Sequence, residues 1–409
     1  MIKENGALFG TRYRIIVTTD IGGSDYDDFQ SMVHYLLYSN LFDTEGLISS
    51  AWGDGRKDHI LEVIDAYEKD YPKLKKYDDK YPTPEYLRSI TKQGNINFAP
   101  YKGFSEPTEA SELIIKCAKK DDRRPLYILG WGLLEDIAQA LHDAPEIVDK
   151  IRVNYVGGPN KKWGLNAYQY IRENFPNLWI IEDNSTYRGW FNGGFMEGDY
   201  ANDIFVEKFI KGHGALGDYF YSKGHKIKMG DTPTVSYFLR GVPENPCEES
   251  WGGTFVKVYN RPEAYFNRDT TKKDVVEIFT VIDYTFEGPI LNDWNLDKPA
   301  FMMKVRNQFF EGFYTGNGIY KIRFMPKSMG VFEYEIISDI KELEVHKGAF
   351  TSTWENDDNR LEQGQNLANW YSDSLDEKYL DVYICGAKSV SNYRKEYLDD
   401  FKRLFEIIK

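Results

Sequence analysis

The chain has 409 residues, a formal net charge of −13 and an aromatic content of 16%. This length predicts two or three domains, and the negative charge disfavours nucleic acid and anionic membranes as partners because both would repel it. Cys117, Cys247 and Cys385 form no CxxC pair, which argues against a disulfide framework and a structural zinc site. Without a long apolar run or a signal-like start, we expect no membrane span and a cytoplasmic location, although a trimmed secreted protein would look the same.

The first 260 residues alternate between β-branched runs and amphipathic stretches. Phe29, Met32, Val33 and Leu36, for example, lie on one face of a predicted helix. The predicted elements are strand 14–18, helix 27–39, strand 44–49, strand 125–130, helix 135–141, strand 151–158 and strand 178–182. Such alternation predicts an α/β fold with a mainly parallel sheet flanked by helices. Ligands of such sheets bind at the carboxyl ends of the strands.

The pattern changes near residue 272. Alternating or aromatic runs follow one another with turn residues between them, at 277–286, 300–305, 318–324 and 330–337. This predicts a small β-sandwich. Helical periodicity returns only from Ser389 to Ile408.

An acidic loop follows the first predicted strand. Asp20, Asp25, Asp27 and Asp28 lie within nine residues, and the glycines at 22–23 permit a tight turn between them. Like charges in one loop repel each other unless a cation neutralises them, and carboxylate ligands favour calcium or magnesium over zinc. Acids at the start of a helix also suit its dipole, but this does not explain Asp20 at the end of an apolar strand.

The strand and the acidic loop resemble the N-terminal calcium motif of the inosine-uridine nucleoside hydrolases. The resemblance is closer to a bacterial nucleoside-hydrolase-like subfamily, sometimes labelled cellulose-binding, whose loop also has Gly-Gly before the acidic pair. Further matching segments follow in the same order at 46–49, 130–141, 156–160, 184–191, 228–233 and 250–253. The similarity covers about residues 12–260 and implies a nucleoside-hydrolase-like fold.

The resemblance also implies a role for each matching residue. Asp20, Asp28 and Asp231 would bind Ca²⁺, and a backbone carbonyl near Glu135 would add a ligand. Asp20 would also be the general base toward a metal-bound water, and Asp27 would hold sugar hydroxyls. The implied partner is a small-molecule sugar or nucleoside, cleaved through an oxocarbenium-like transition state.

The sequence departs from the nucleoside hydrolases in several features, among them a longer acidic loop with Asp25 as an additional acid and no clean counterpart of the family's sugar-binding Glu and Asn cluster. Thr18 replaces an aspartate of that family, and Gly230 replaces its late histidine. Candidates for substrate binding are Asn160, Asn166, Asn184, Trp52 and Trp131, with Trp163, Trp190 and Trp251 as further rings that suit either stacking or packing. Two functions therefore stay open: a Ca²⁺-dependent hydrolase of N-ribosyl or related glycosidic bonds, and a non-catalytic carbohydrate-binding protein that keeps the metal site. A homo-oligomer also stays open.

Residues 275–340 resemble the small Ig-like domain at the N-terminus of some bacterial glycoside hydrolases. The stretch 386–401 resembles the closing helix of the hydrolase-like domain, which favours an inserted sandwich over two domains in tandem. We predict a nucleoside-hydrolase-like α/β domain at 1–271 closed by 366–409, an inserted Ig-like β-sandwich at 272–350, and a connector at 351–365.

Overall fold

The computed structural model describes residues 12–184, 186–356, 360–361, 367–381 and 384–409, with only the backbone at 186 and 187. Residues 1–11 of the predicted first domain, and residues 357–359 and 362–365 of the predicted connector, lie outside these ranges. None of the helices among the described residues is long and apolar enough to cross a membrane.

Sixteen strands and thirteen α-helices form the described structure. The strands are β1 (Tyr13–Thr19), β2 (Phe42–Ser49), β3 (Thr91–Gln93), β4 (Leu126–Gly130), β5 (Ile151–Val156), β6 (Trp179–Asp183), β7 (Phe255–Val258), β8 (Glu263–Phe266), β9 (Val275–Glu277), β10 (Val281–Glu287), β11 (Pro299–Val305), β12 (Gln308–Gly316), β13 (Ile319–Phe324), β14 (Gly330–Ile337), β15 (Lys347–Thr353) and β16 (Trp370–Asp373). The helices are α1 (Asp27–Leu37), α2 (Lys57–Tyr77), α3 (Pro84–Ser89), α4 (Glu109–Ala118), α5 (Glu135–Asp143), α6 (Gly158–Trp163), α7 (Leu165–Asn174), α8 (Asn202–Phe205), α9 (Gly214–Lys223), α10 (Thr232–Leu239), α11 (Lys341–Glu344), α12 (Ala387–Ser391) and α13 (Arg394–Ile408).

The first sheet has the strand order β3-β2-β1-β4-β5-β6-β16-β7. All neighbouring strands are parallel except β16 and β7. Both faces are covered, since Ile15 and Val17 belong to one hydrophobic core and Ile16 to another. The predicted mainly parallel α/β fold is therefore confirmed.

The position of β1 in this sheet defines where a ligand-binding crevice forms. The chain passes from β1 to β2 on one side, whereas β4 and β5 continue on the other side. Such a reversal of strand order opens a crevice at the carboxyl ends of the strands. Asp20 lies at this point, directly after β1.

The second sheet has the order β8-β10-β13-β12-β11-β14-β15-β9 and is mostly antiparallel. It encloses its own core, rich in aromatic side chains such as Tyr284, Phe286, Phe324 and Phe350. The predicted β-sandwich is therefore present as a second, β-rich domain.

After the second sheet the chain returns to the first. Strand β16 lies between β6 and β7, and helix α13 packs on α2 with Tyr397, Phe401 and Phe405 in the first domain's core. The strand order thus has the form of an insertion. The domain boundaries given by the sequence remain a prediction.

Candidate metal and ligand-binding cleft

A cleft of about 100 Å³ opens at the carboxyl edge of the first sheet. Acidic side chains and tryptophan rings both line it. Its walls consist of Asp20, Ser24, Asp25, Asp27, Asp28, Trp52, Trp131, Val156, Pro159, Asn160, Trp163, Gly230 and Asp231.

The loop after β1 is folded by a tight turn. The Gly23 N–H donates to the carbonyl of Asp20 at 2.9 Å, and Gly22 has a φ of +89° with no room for a side chain. Thr19 donates its hydroxyl hydrogen to Asp28, which ties the end of β1 to the first turn of α1. The turn therefore brings the acids on both sides of the glycines together.

Three carboxylates form the centre of the cleft. One oxygen each from Asp27, Asp28 and Asp231 lies within 4.8 Å of the other two, and Asp20 is within hydrogen-bonding reach of Asp28. Burial, followed by repulsion from neighbouring acids, raises the pKa of Asp28 and Asp231 well above the usual value. The same causes raise the pKa of Asp20 to about 7. Because Asp231 directly precedes α10, the structure unites acids that are distant in the chain.

The cluster suits a divalent cation. Oδ2 of Asp231 is buried and has no hydrogen-bond partner among the described residues. Asp25 is neutralised by an ion pair with Lys228, but no described lysine, arginine or histidine forms an ion pair with Asp27, Asp28 or Asp231. Buried like charges without a counter-ion are costly, and close carboxylate oxygens are the donors that Ca²⁺ and Mg²⁺ prefer.

Besides Asp27, three of the predicted substrate-binding residues line the cleft. Asn160 donates its amide hydrogens to the carbonyls of Trp131 at 2.6 Å and Val156 at 3.0 Å, so its Oδ1 is the atom left for a ligand. Trp52 is partly exposed at the rim. Trp131 is fully buried and donates its indole N–H to Thr234 at 2.6 Å, which makes it a packing residue at the base.

Three other predicted site residues do not line the cleft. The carboxylate of Glu135 accepts from the Ala99 N–H at 3.3 Å, and burial raises its pKa to about 8. Asn166 donates to the Ala99 carbonyl and accepts from Arg323 of the second domain. Asn184 is buried, and its amide forms hydrogen bonds within the first domain. A substrate-binding role of Asn166 or Asn184 therefore gains no support from this geometry, and the carbonyl ligand predicted near Glu135 remains a prediction.

Trp163 completes the aromatic wall. Its ring meets Trp52 edge-on at a centroid distance of 5.5 Å, whereas Trp190 and Trp251 are buried in the core. Sequence reasoning missed Ser24 and Pro159. Pro159 lies in the first turn of α6, just after the Gly157-Gly158 pair that follows β5, and that position was the available signal.

Comparisons with known proteins agree with this architecture. A family model described as "Cellulose-binding Sde182, nucleoside hydrolase-like domain" matches residues 14–255, and one described as a domain of unknown function (DUF5060) matches residues 275–339. No curated protein matches the chain.

Similar solved structures include nucleoside hydrolases. A nucleoside hydrolase-related hypothetical protein from Saccharophagus degradans, described as associated with carbohydrate metabolism, is 19% identical, with 84% of this chain and 100% of that chain covered and a TM-score of 0.51. An inosine-uridine preferring nucleoside hydrolase from Bacillus anthracis is 16% identical, covering 55% and 81%, with a TM-score of 0.32. An inosine-guanosine nucleoside hydrolase is 14% identical, covering 61% and 82%, with a TM-score of 0.37. By the family match over 14–255 and the shared fold, the chain belongs to the family of nucleoside hydrolase-like domains described as cellulose-binding Sde182.

Proposed function

We propose that this chain is a Ca²⁺-dependent hydrolase of glycosidic bonds, acting on a nucleoside or a related sugar substrate. The observation that carries the proposal is the buried cluster of Asp27, Asp28 and Asp231, with Asp20 beside it. Nucleoside hydrolases among the similar folds, and the carbohydrate label of the family, support the same class of substrate.

Asp28 and Asp231 are the central ligands in this proposal, with Asp20 and Asp27 flanking them. Bound Ca²⁺ would neutralise these acids and, since it accepts six to eight oxygens, would also hold water and sugar hydroxyls. The sequence predicts Asp20 rather than Asp27 as a ligand, whereas the closest oxygens include Asp27. Both acids therefore need to be tested.

The chain's own groups supply the remaining chemistry. Asp20 takes the proton from the attacking water, since a carboxylate within hydrogen-bonding reach acts as a general base. Asp27 and Oδ1 of Asn160 accept hydrogen bonds from sugar hydroxyls. Four ionised carboxylates would exceed the charge of one Ca²⁺, and the remaining negative charge would stabilise the positive charge that develops on the sugar ring.

The size of the cleft restricts how a substrate binds. A volume of about 100 Å³ is well below the roughly 300–1,000 Å³ of sites that enclose a whole drug-sized ligand. The cleft therefore takes the sugar whose bond is cleaved, and the leaving group lies at the rim beside Trp52 and Trp163.

A non-catalytic carbohydrate-binding protein is the second candidate. Gly230 stands beside Asp231 where nucleoside hydrolases have a histidine, and the lining of the described cleft contains no histidine. Departure of the leaving group then depends on a protonated carboxyl group or on solvent. The family description as cellulose-binding favours the same alternative.

One experiment separates the two functions. Wild type, Asp20→Asn and the control Asp25→Asn are assayed with Ca²⁺ for ribose release from nucleosides and reducing sugar from oligosaccharides, and calorimetry measures binding. The hydrolase predicts turnover by wild type and Asp25→Asn, and loss of turnover with retained binding in Asp20→Asn. Binding without turnover across the panel supports the second candidate, and the absence of both contradicts the proposal.

A further inference from the structure

We infer that the second domain positions one wall of the acidic cleft through α6, and that Phe310 is the main positioning residue. This inference rests on the proposed function of the cleft as a sugar site. It assigns to the β-rich domain a direct part in ligand binding.

Helix α6 faces the cleft and the second domain at the same time. Pro159, Asn160 and Trp163 line the cleft. On the other side, Lys161 Nζ donates to the Phe279 carbonyl at 3.2 Å. The cleft wall is therefore bonded directly to the neighbouring domain.

The last residues of α6 carry the strongest contacts. Lys162 donates to the side chain of Gln308 on β12. The ring of Trp163 stacks on that of Phe310, with centroids 4.9 Å apart and an interplanar angle of 19°. Phe310 is only 6% exposed and belongs to the second domain's own core, so it is a fixed support for the tryptophan.

The helix cannot define its own position. It has six residues and no side-chain N-cap, and so short a helix is marginal without tertiary contacts. A loss of support at Phe310 therefore releases Trp163 most directly, whereas Asn160 is also held by the carbonyls of Trp131 and Val156. No carboxylate of the acidic cluster lies on α6, so sugar binding should weaken while Ca²⁺ binding stays intact.

The test compares Phe310→Leu with Phe309→Leu. Both residues lie on β12, but Phe309 is 50% exposed and forms no ring contact among the described residues. Leucine keeps apolar bulk in the core and removes the stacked ring. Hydrogen exchange of the amides at 158–164, Ca²⁺ titration, and titration of D-ribose and cellobiose in Ca²⁺ are measured for both variants.

Phe310→Leu is expected to raise the amide exchange rate at 158–164 by up to about tenfold, the upper range for one lost aromatic pair. The sugar affinity should fall by a similar factor. Its Ca²⁺ affinity, and all properties of Phe309→Leu, should stay within about twofold of wild type. Equal exchange in the two variants, or loss of Ca²⁺ binding in a folded Phe310→Leu, overturns the inference. If wild type binds neither sugar, the proposed function fails on these sugars while the exchange result still decides the coupling.

A milder variant covers the case in which Phe310→Leu does not fold. Gln308→Ala removes only the partner of Lys162, because Gln308 is exposed. A smaller rise in exchange at 158–164 is expected. Unchanged exchange there would overturn the inference.

Discussion

Replacement of Asp231 by asparagine removes one charge from the acidic cluster and keeps its shape. Two unit charges 4.8 Å apart repel by about 3 kcal/mol at an effective dielectric constant of about 20. The raised pKa of Asp28 and Asp231 means that protonation already relieves part of this repulsion. Asp231 has two such neighbours, Asp27 and Asp28. In a chelator, Asp231→Asn should therefore be at least as stable as wild type, with a gain below the roughly 7 kcal/mol of two full repulsions.

Calcium should make wild type more stable than Asp231→Asn, the reverse of their order in a chelator. A ligand at 100 times its Kd stabilises the native state by about 2.7 kcal/mol, which raises the Tm by about 5–10 °C for a domain of this size. Asp231→Asn has one charged ligand fewer, and a Ca²⁺ site becomes weaker when it loses a charged ligand. Calcium should therefore raise the Tm of Asp231→Asn by less than about 2 °C.

Differential scanning calorimetry in EDTA and at increasing Ca²⁺ measures both effects. The matched control is Asp25→Asn, which removes the same charge from the lining of the same cleft, at the residue paired with Lys228. The control should keep the calcium-dependent rise. If Asp231→Asn were destabilised in EDTA and still showed the full rise with Ca²⁺, the reasoning would be refuted.

Three further predictions concern the surroundings of the cluster. Gly22→Ala should abolish measurable Ca²⁺ binding and lower the free energy of unfolding by at least about 1 kcal/mol, because Gly22 has a φ of +89° and no space for a Cβ. Calcium titration and urea unfolding measure the two effects, and a Ca²⁺ affinity equal to that of wild type would contradict the prediction. Trp163→Ala should weaken sugar binding about tenfold with Ca²⁺ affinity unchanged, as calorimetry can measure; equal losses of both would argue against separate subsites. Burial raises the pKa of Glu135 to about 8, so the native state must keep a proton that the unfolded chain loses above its ordinary pKa. As the pH rises from 5 to 8, Glu135→Gln should therefore gain up to about 4 kcal/mol in free energy of unfolding relative to wild type. Urea unfolding at several pH values measures this difference, and a difference that does not change with pH would contradict the prediction.

The sequence predicted the fold and the loop well because both depend on local patterns. Helix α1 begins at Asp27 as predicted and ends at Leu37 rather than Ser39. The strands predicted at 300–305 and 330–337 are found as β11 and β14. Strand β12 was missed because bulky side chains and glycines interrupt its alternation.

The site was harder to predict because side-chain direction depends on packing. Asn166 lies in the first turn of α7, where its amide bonds to the Ala99 carbonyl and to Arg323 of the second domain instead of lining the cleft. Trp131 follows β4 and is buried by its bond to Thr234. The position of Asp231 followed from the resemblance alone, since no local pattern connects it with the loop after β1.

The most direct test of the metal site is a crystal of the protein soaked in Ca²⁺ and measured for anomalous scattering. We predict one peak at about 2.3–2.6 Å from carboxylate oxygens of Asp28 and Asp231, with Asp20 or Asp27 completing the set. An acidic cleft that holds only water at saturating Ca²⁺, with its carboxyl groups hydrogen-bonded to each other, would contradict the account.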